Sequence, residues 1–381
     1  MNQADVIWND PTEAVRHDAG DGPLMLFAPD MLQRTARRFQ AGFEGFVTYA
    51  VKANPEPSVI ANLAAAGVSA FDVASVEEMT LIRRLVPGAA LHYNNPVRSR
   101  AEIRRAVNLG VASYSVDDAG ELAKLVAEVP PAGVEVAVRF KLPVSGAAYD
   151  FGEKFGATPQ EAAPLLRAVA QAGFTPSLTF HPGTQCPDAH AWVSYIDAAA
   201  TIAREAGVAL ARLNVGGGFP ARRNLADVPQ IEDILSAIAR AARAAFGSAR
   251  PALICEPGRA MVAEGHALVT HVKAIRESGA VFLDDGIYGA LSEAPLMGTT
   301  DRIAALAPDG TPRSGPAQAR VVFGPTCDSV DRLPGTPQLP ADLTEGDALV
   351  FLGMGAYASV TATRFNGYGA LRHATVRTLD G

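Results

Sequence analysis

Between residues 46 and 256, short β-branched runs alternate with longer Ala- and Leu-rich stretches whose charges fall at helical spacing, and the alternation repeats eight times. Strands are expected over "FVTYAVK" (46–52), "SAFDVA" (69–74), "ALHYN" (90–94), "ASYSV" (112–116), "VEVAVRF" (134–140), "SLTFH" (177–181), "ARLNV" (211–215) and "ALICE" (252–256). Helices are expected over "SVEEMTLIRRLV", "RAEIRRAVNLG", "DDAGELAKLVAEV", "TPQEAAPLLRAVAQAG", "AWVSYIDAAATIAREAG" and "QIEDILSAIARAARAAFG". Ser75 with Glu78, and Asp118 with Glu121, have capping-box spacing, while Gly110, Gly173, Gly207 and Gly247 stand where helices should stop. An α/β chain with eight strand and helix pairs has what a (β/α)8 TIM barrel requires; a doubly wound open sheet is the competing arrangement.

From about residue 266 the pattern changes to β-prone segments broken by Gly, Pro and Asp, such as "HALVTHVKAI", "AVFLDDGIYGAL" and "DALVFLGMGAYASV". This reads as a second, mostly β domain, with the turn-rich "APDGTPRSGPAQ" (307–318) as an excursion inside it. The expected division is a barrel over 28–265 and a β domain built from 1–27 and 266–381. A length of 381 residues with 48% hydrophobic content is enough for two cores.

The net charge of −7 gives no reason to expect nucleic acid or an anionic membrane as partner. The N-terminus has neither the basic cluster nor the apolar segment of a secretory signal, and no stretch has membrane-spanning length. Cys186, Cys255 and Cys327 are far apart and lack metal-ligand spacing, which argues against a disulfide framework and a zinc site. A cytoplasmic protein is the expectation.

In such a barrel the reactive face is the ring of C-terminal strand ends. Lys52, Asp72, Tyr93 with Asn94, Asp117, Arg139, His181, Gly216-Gly217-Gly218, and Glu256 followed by Arg259 all stand there. Singly, each has an ordinary structural use: Asp72 as a helix cap, Arg139 in an ion pair, the glycines as a turn. Together they suit one ligand. The glycine triplet lets a backbone approach a phosphate, and Arg259 offers a bidentate contact to it. A strand-end lysine against an apolar wall is a Schiff-base former, and Glu256 is a carboxylate for a protonated pyridine nitrogen. Those parts describe a pyridoxal 5′-phosphate (PLP) site.

The motifs "YAVKANPEP", "FDVAS", "FHPGTQ", "NVGGGFP", "CEPGR", "FGPTCDSVDRL" and "GAYASVTATRFNGY" resemble, in order and over nearly the whole chain, the fold-type III PLP-dependent decarboxylases, the ornithine/diaminopimelate/arginine decarboxylase family. The resemblance implies the alanine-racemase-like barrel with a β domain. It implies that Lys52 carries the cofactor aldehyde, Glu256 holds the pyridine nitrogen and His181 stacks on the ring. Gly216, Gly217, Gly218, Arg259, Tyr357 and Thr184 would bind phosphate, with Asp72 and Arg139 as further cofactor-pocket residues. "HPGTQ" departs from the family pattern at Pro182 and at Thr184, which replaces a serine.

The resemblance further implies a homodimer with shared active sites, in which "GPTCDSVD" completes the site of the neighbouring subunit. Cys327 would then return a proton to the substrate Cα, and Asp328 would meet the distal ammonium of a basic amino acid. Asp285 matches a second such carboxylate, and Tyr288 and Phe365 match substrate-pocket positions. Lys154 and Asp331 match a cross-subunit ion pair. Without the family, Cys327 reads as a small buried residue, Phe365 as core, and Lys154 and Asp331 as surface charges. The expected reaction is L-ornithine to putrescine and CO2. The alternatives are lysine or both amino acids, another diamino acid, an alanine-racemase-like reaction, for which an arginine in place of Glu256 would be needed, and a non-catalytic homologue that binds a partner protein.

Overall fold

The computed structural model describes residues 7–142, 154–224 and 228–380. The chain divides into two compact units: Ala36–Pro220 with Val228–Met261 form one, and the remaining described residues form the other. The division falls inside the 28 and 265 read from the sequence, and the helix Pro29–Gly42 runs through the first boundary.

Two short strands, β1 (Ile7–Trp8) and β2 (Leu24–Phe27), come first and belong to the second unit. The barrel strands are β3 (Phe46–Val47), β4 (Tyr49–Ala50), β5 (Ala70–Val73), β6 (Ala90–Tyr93), β7 (Ser113–Val116), β8 (Glu135–Arg139), β9 (Thr175–Thr179), β10 (Arg212–Asn214) and β11 (Ala252–Cys255). They form one parallel sheet in the order β3-β11-β10-β9-β8-β7-β6-β5-β4. β3 and β4 are a single run interrupted at Thr48, so the nine bonded segments make eight staves. Because β3 pairs with β11 while β4 pairs with β5, that one run closes the ring. Thr48 bridges the interruption, its N–H and hydroxyl both donating to Cys255 O at 2.9 and 3.2 Å.

Strands β5 and β7 are buried at every residue, as parallel strands with both faces covered must be. The six expected helices are present as Val76–Leu85, Arg100–Asn108, Ala119–Glu128, Pro159–Gln171, Ala189–Ala206 and Ile231–Phe246. Gly110, Gly173, Gly207 and Gly247 all have positive φ at their ends. Complete capping boxes stand elsewhere than expected, at Ser99 with Glu102 and Thr158 with Glu161. Ser75 does accept from Glu78 N–H, but the Glu78 carboxylate turns back to Ala74 N–H at 2.6 Å. Asp118 caps through Gly120 N–H, and Glu121 is drawn away to Lys124.

The second unit contains β12 (His266–Ile275), β13 (Val281–Leu283), β14 (Ile303–Leu306), β15 (Ala317–Ala319), β16 (Val322–Phe323), β17 (Gln338–Pro340), β18 (Ala348–Leu352) and β19 (Arg372–Val376). β12 is its hub, bonded antiparallel to β2, β13 and β18. Alternate residues of these strands feed two cores. Met25, Leu268, Leu349 and Phe351 pack on one face, and Leu26, Ala267, Val269 and Val350 on the other. β15 and β17 form a separate two-stranded ribbon. No helix among the described residues is long and apolar enough to cross a membrane.

Candidate active site

A cavity of about 800 Å³ lies at the C-terminal strand ends of the barrel, lined among others by Lys52, Asp72, Asn94, Arg139, His181 and Glu256. β4 stops at Ala50, and Val51–Ala53 make one 3-10 turn, so Lys52 leaves the barrel from that turn and not from the strand itself. The turn is tied down locally. Asn54 N–H donates to Val51 O at 3.0 Å, and the buried Tyr49 hydroxyl donates to Asn54 O at 2.9 Å. Asp72 sits inside β5 and does not cap the next helix, because Ser75 does. Arg139 ends β8, with Cζ 5.2 Å from the centre of the Phe155 ring.

Glu256 follows β11 directly, and its Oε1 accepts from the side-chain amides of Asn94 and Asn214. Burial, and then the Asp72 charge, push Glu256 up to about 8, against the pull of Asn214, Lys52 and Arg139. Burial raises Asp72 as well, opposed first by Lys52 and then by Asn94 and Arg139. Behind them Glu78 is pushed up to about 7, mainly by burial. His181 is held well below its usual range by burial and by the Lys52 and Arg139 charges, so its ring is neutral. Its Nδ1 accepts from Gly183 N–H at 3.1 Å.

The glycine run has no room for side chains. A Cβ on Gly216 would run into Phe180 O, one on Gly217 would lie 2.6 Å from Glu256 O, and one on Gly218 would run into Gly183 O. Gly216 and Gly218 also hold φ of 71° and 82°, which favours glycine on its own account. Cys186 N–H donates to Gly218 O at 2.9 Å, which ties the segment carrying Thr184 to the run. Arg259 is buried at the start of the short helix Arg259–Val262. A lysine amine, a buried carboxylate, a neutral imidazole and a close-packed glycine backbone on one barrel face fit PLP.

The second unit carries its own cluster. Cys327 is an exposed free thiol whose backbone N–H donates to Asn366 Oδ1 at 3.1 Å. Next to it, Asp328 Oδ2 accepts from the Tyr288 hydroxyl at 2.6 Å, and the Tyr288 ring packs on Phe365 with centroids 4.9 Å apart. That hydroxyl holds the Asp328 carboxylate below its usual range. Phe365 is exposed, so it is not a core residue. Tyr357, also in this unit, has a left-handed backbone with φ 61°, as does Asn366 at 53°.

Two carboxylates depart from the sequence reading. Asp285 is 1% exposed, its Oδ2 accepting from Ala290 N–H at 2.9 Å while Oδ1 has no partner among the described residues. Enclosed in its own turn, it is not placed to meet a substrate ammonium. Asp331 is equally buried and accepts from Ile287 N–H and from the Thr326 N–H and hydroxyl at 2.8–3.0 Å. It pins its loop and is not open to an ion pair with a second chain. Lys154 lies 5.0 Å above the Phe155 ring and lines the barrel cavity. Asn94 was named from the sequence among the strand-end groups but given no role, and Asn214 was not singled out, its only signal being a polar residue at a strand end.

A closed parallel barrel with a lysine among its strand-end polar groups, joined in sequence to a mostly β unit, defines the fold-type III PLP enzymes. Within that class the chain belongs to the pyridoxal-dependent decarboxylases: residues 30–263 match the family described as "Pyridoxal-dependent decarboxylase, pyridoxal binding domain". It is similar to the lysine/ornithine decarboxylase of Selenomonas ruminantium, 34% identical over 84% of this chain and 81% of that one. It is also similar to the ornithine decarboxylase of Mus musculus, 28% identical over 89% of this chain and 77% of that one. Among solved structures, the lysine/ornithine decarboxylase of Vibrio vulnificus complexed with cadaverine superposes with a TM-score of 0.83 at 29% identity, covering 95% and 96% of the two chains. The protein is a PLP-dependent amino-acid decarboxylase.

Proposed function

We propose that this decarboxylase of basic amino acids acts principally on L-ornithine, releasing putrescine and CO2, as a homodimer whose active sites each draw on both chains. The observation that carries the reading is the half-buried carboxylate of Asp328, held ionised by Tyr288 and adjacent to the exposed Cys327 thiol. A carboxylate fixed in that state binds a distal ammonium and leaves an uncharged side chain with an unpaired partner. Names of relatives that include ornithine support it.

When bound, PLP draws the electron pair left by the departing carboxylate into its ring. Lys52 would hold it through its aldehyde carbon and release it to the substrate amine. Glu256 would keep a proton on the ring nitrogen, and the neutral His181 ring would cover one face. Gly216, Gly217, Gly218, Thr184, Arg259 and Tyr357 would hold the phosphate, while Asp72 and Arg139 would set the charge around Lys52. From the partner chain, Cys327 Sγ would give a proton to Cα once CO2 has gone, Asp328 with Tyr288 would anchor the far ammonium, and Phe365 would close the site.

A second reading, equal use of lysine, is favoured by the enclosure of Asp285, which leaves Asp328 as the carboxylate of this cluster that reaches solvent. One methylene against a single anchor discriminates by only about 1–3 kcal/mol. Mass spectrometry of products from equimolar ornithine, lysine, arginine and diaminopimelate separates the readings. Dominant putrescine is expected; cadaverine at a similar rate replaces the first reading by the second, and absence of any amine product overturns both.

A further inference from the structure

The carboxylate of Glu256 receives two amide donors on one oxygen. Asn214, the last residue of β10, reaches it from the neighbouring stave, and Asn94, one residue past β6, reaches it from across the barrel. Among the described residues no group donates to Oε2, and Glu256 lines the cavity. Asn94 also favours the charged form of Asp72, so it acts on both buried carboxylates. Asn214 has a second bond as well: its Oδ1 accepts from Gly216 N–H at 2.9 Å, while Glu256 N–H donates to Gly216 O at 2.8 Å.

We propose that Asn94 and Asn214 are positioning residues, a two-amide clamp that saturates Oε1 of Glu256 and leaves Oε2 as the single atom presented to the ring nitrogen of PLP. This rests on the placement of Glu256 set out under the proposed function. A glutamate has three rotatable side-chain bonds, and donors from opposite sides of the barrel fix which oxygen faces the cavity. Hydrogen bonds to a carboxylate also favour its ionised form. Around Glu256 stand Lys52, Asp72, Arg139 and the neutral His181, and burial with the Asp72 charge works toward protonation. The amides work the other way, opposing that protonation and so favouring the form that holds a proton on the ring nitrogen.

Asn214 adds register. One side chain ties the acid to the first glycine of the run, so the two ends of the cofactor site are spaced by a single amide. Because Gly216 N–H is taken by Asn214, Gly217 and Gly218 supply the N–H donors of this run that remain for a phosphate.

The test is a pH titration of the absorbance band of PLP bound to Asn94→Ala, Asn214→Ala, Glu256→Gln and the double variant Asn94→Ala/Glu256→Gln, with kcat and KM measured alongside. Asn214→Asp, which keeps the acceptor for Gly216 and removes the donor, stands in should Asn214→Ala not fold. Each amide variant is expected to shift the titration midpoint in the direction that Glu256→Gln shifts it, by less. It should also lower kcat about 10-fold, the worth of a hydrogen bond to a charged group, and change KM less than about 2-fold. The acidic limb of kcat moves to higher pH, since Glu256 stays protonated longer without its donors. On the Glu256→Gln background, Asn94→Ala should cost little more. A wild-type midpoint in both amide variants, with Glu256→Gln shifted, overturns the clamp, as does a fully additive loss in the double variant. An unshifted Glu256→Gln would instead remove the placement of Glu256 on which the clamp depends.

Discussion

The barrel cavity and the exposed cluster of the β unit both depend on carboxylates, and the two treat them oppositely. Glu256 and Asp72 are buried and pushed toward their neutral forms, while the half-buried Asp328 is held in its charged form by the Tyr288 hydroxyl and then by Val330 N–H. Inside, desolvation outweighs the cations and amides turned on each acid. At Asp328 the two donors outweigh desolvation and decide the state. On the proposed function, the barrel is built around a charged group that stays, and the β unit offers charge to one that comes and goes.

The most severe test of this division is Lys52→Ala, expected to lower kcat by more than about 1,000-fold and to abolish covalent attachment of PLP after borohydride reduction, read by mass spectrometry. Mixing those chains with Cys327→Ala chains should restore about a quarter of wild-type activity, since half of random dimers are mixed and each mixed dimer has one intact site. No recovery would break the assignment of the exposed cluster to a partner's site. Gly218→Ala probes the barrel alone: its Cβ meets Gly183 O at a position with φ of 82°, and a loss of about 3 kcal/mol is expected, read by thermal melts with and without PLP.

Asp285→Asn asks whether burial, and not location, sets the behaviour of an acid. Burial raises Asp285 to about 7, so its bound proton stabilises the fold fully below the unfolded value near ~4, and that contribution is lost as pH rises through about 7. Wild-type stability should fall between about pH 5 and about pH 8 by on the order of 2 kcal/mol more than that of the variant. Equal pH dependence would show that Asp285 is solvated. The smallest effect is expected for Tyr288→Phe, about 10-fold in kcat/KM for ornithine with a nearly unchanged melting temperature, because the bond it removes is only part-buried.

Much of the barrel was legible because its signals are local. Strand runs, helix periodicity and terminal glycines lie within a few residues of one another, and the helices found match the stretches expected for them. The lysine was legible as a polar residue at the end of an apolar run, although the 3-10 turn that carries it was not. What was missed depends on contacts between distant segments. Nothing near Asn94 indicates that its amide crosses the barrel to Glu256, 162 residues away. Asp285 and Asp331 lie in segments rich in turn residues, which read as exposed, and their burial is decided by the backbone N–H groups they collect. Glu78 and Glu121 had the spacing of a capping box, but each was diverted to another partner, Ala74 N–H and Lys124.

Asp331 holds its loop by one end. Its enclosed carboxylate accepts from 287 and 326, and the carboxylate leaves no room for a side chain on either Gly286 or Gly324. Cys327, Ser329 and Val330, just ahead of it, face solvent, and Asp328 is half-buried. On the proposed roles of Cys327 and Asp328, anchorage and chemistry occupy different residues of one short segment. Selection can exchange the outward side chains and so alter substrate preference while the loop keeps its course, whereas a change at 286, 324 or 331 would unseat the loop before any new preference could be tried.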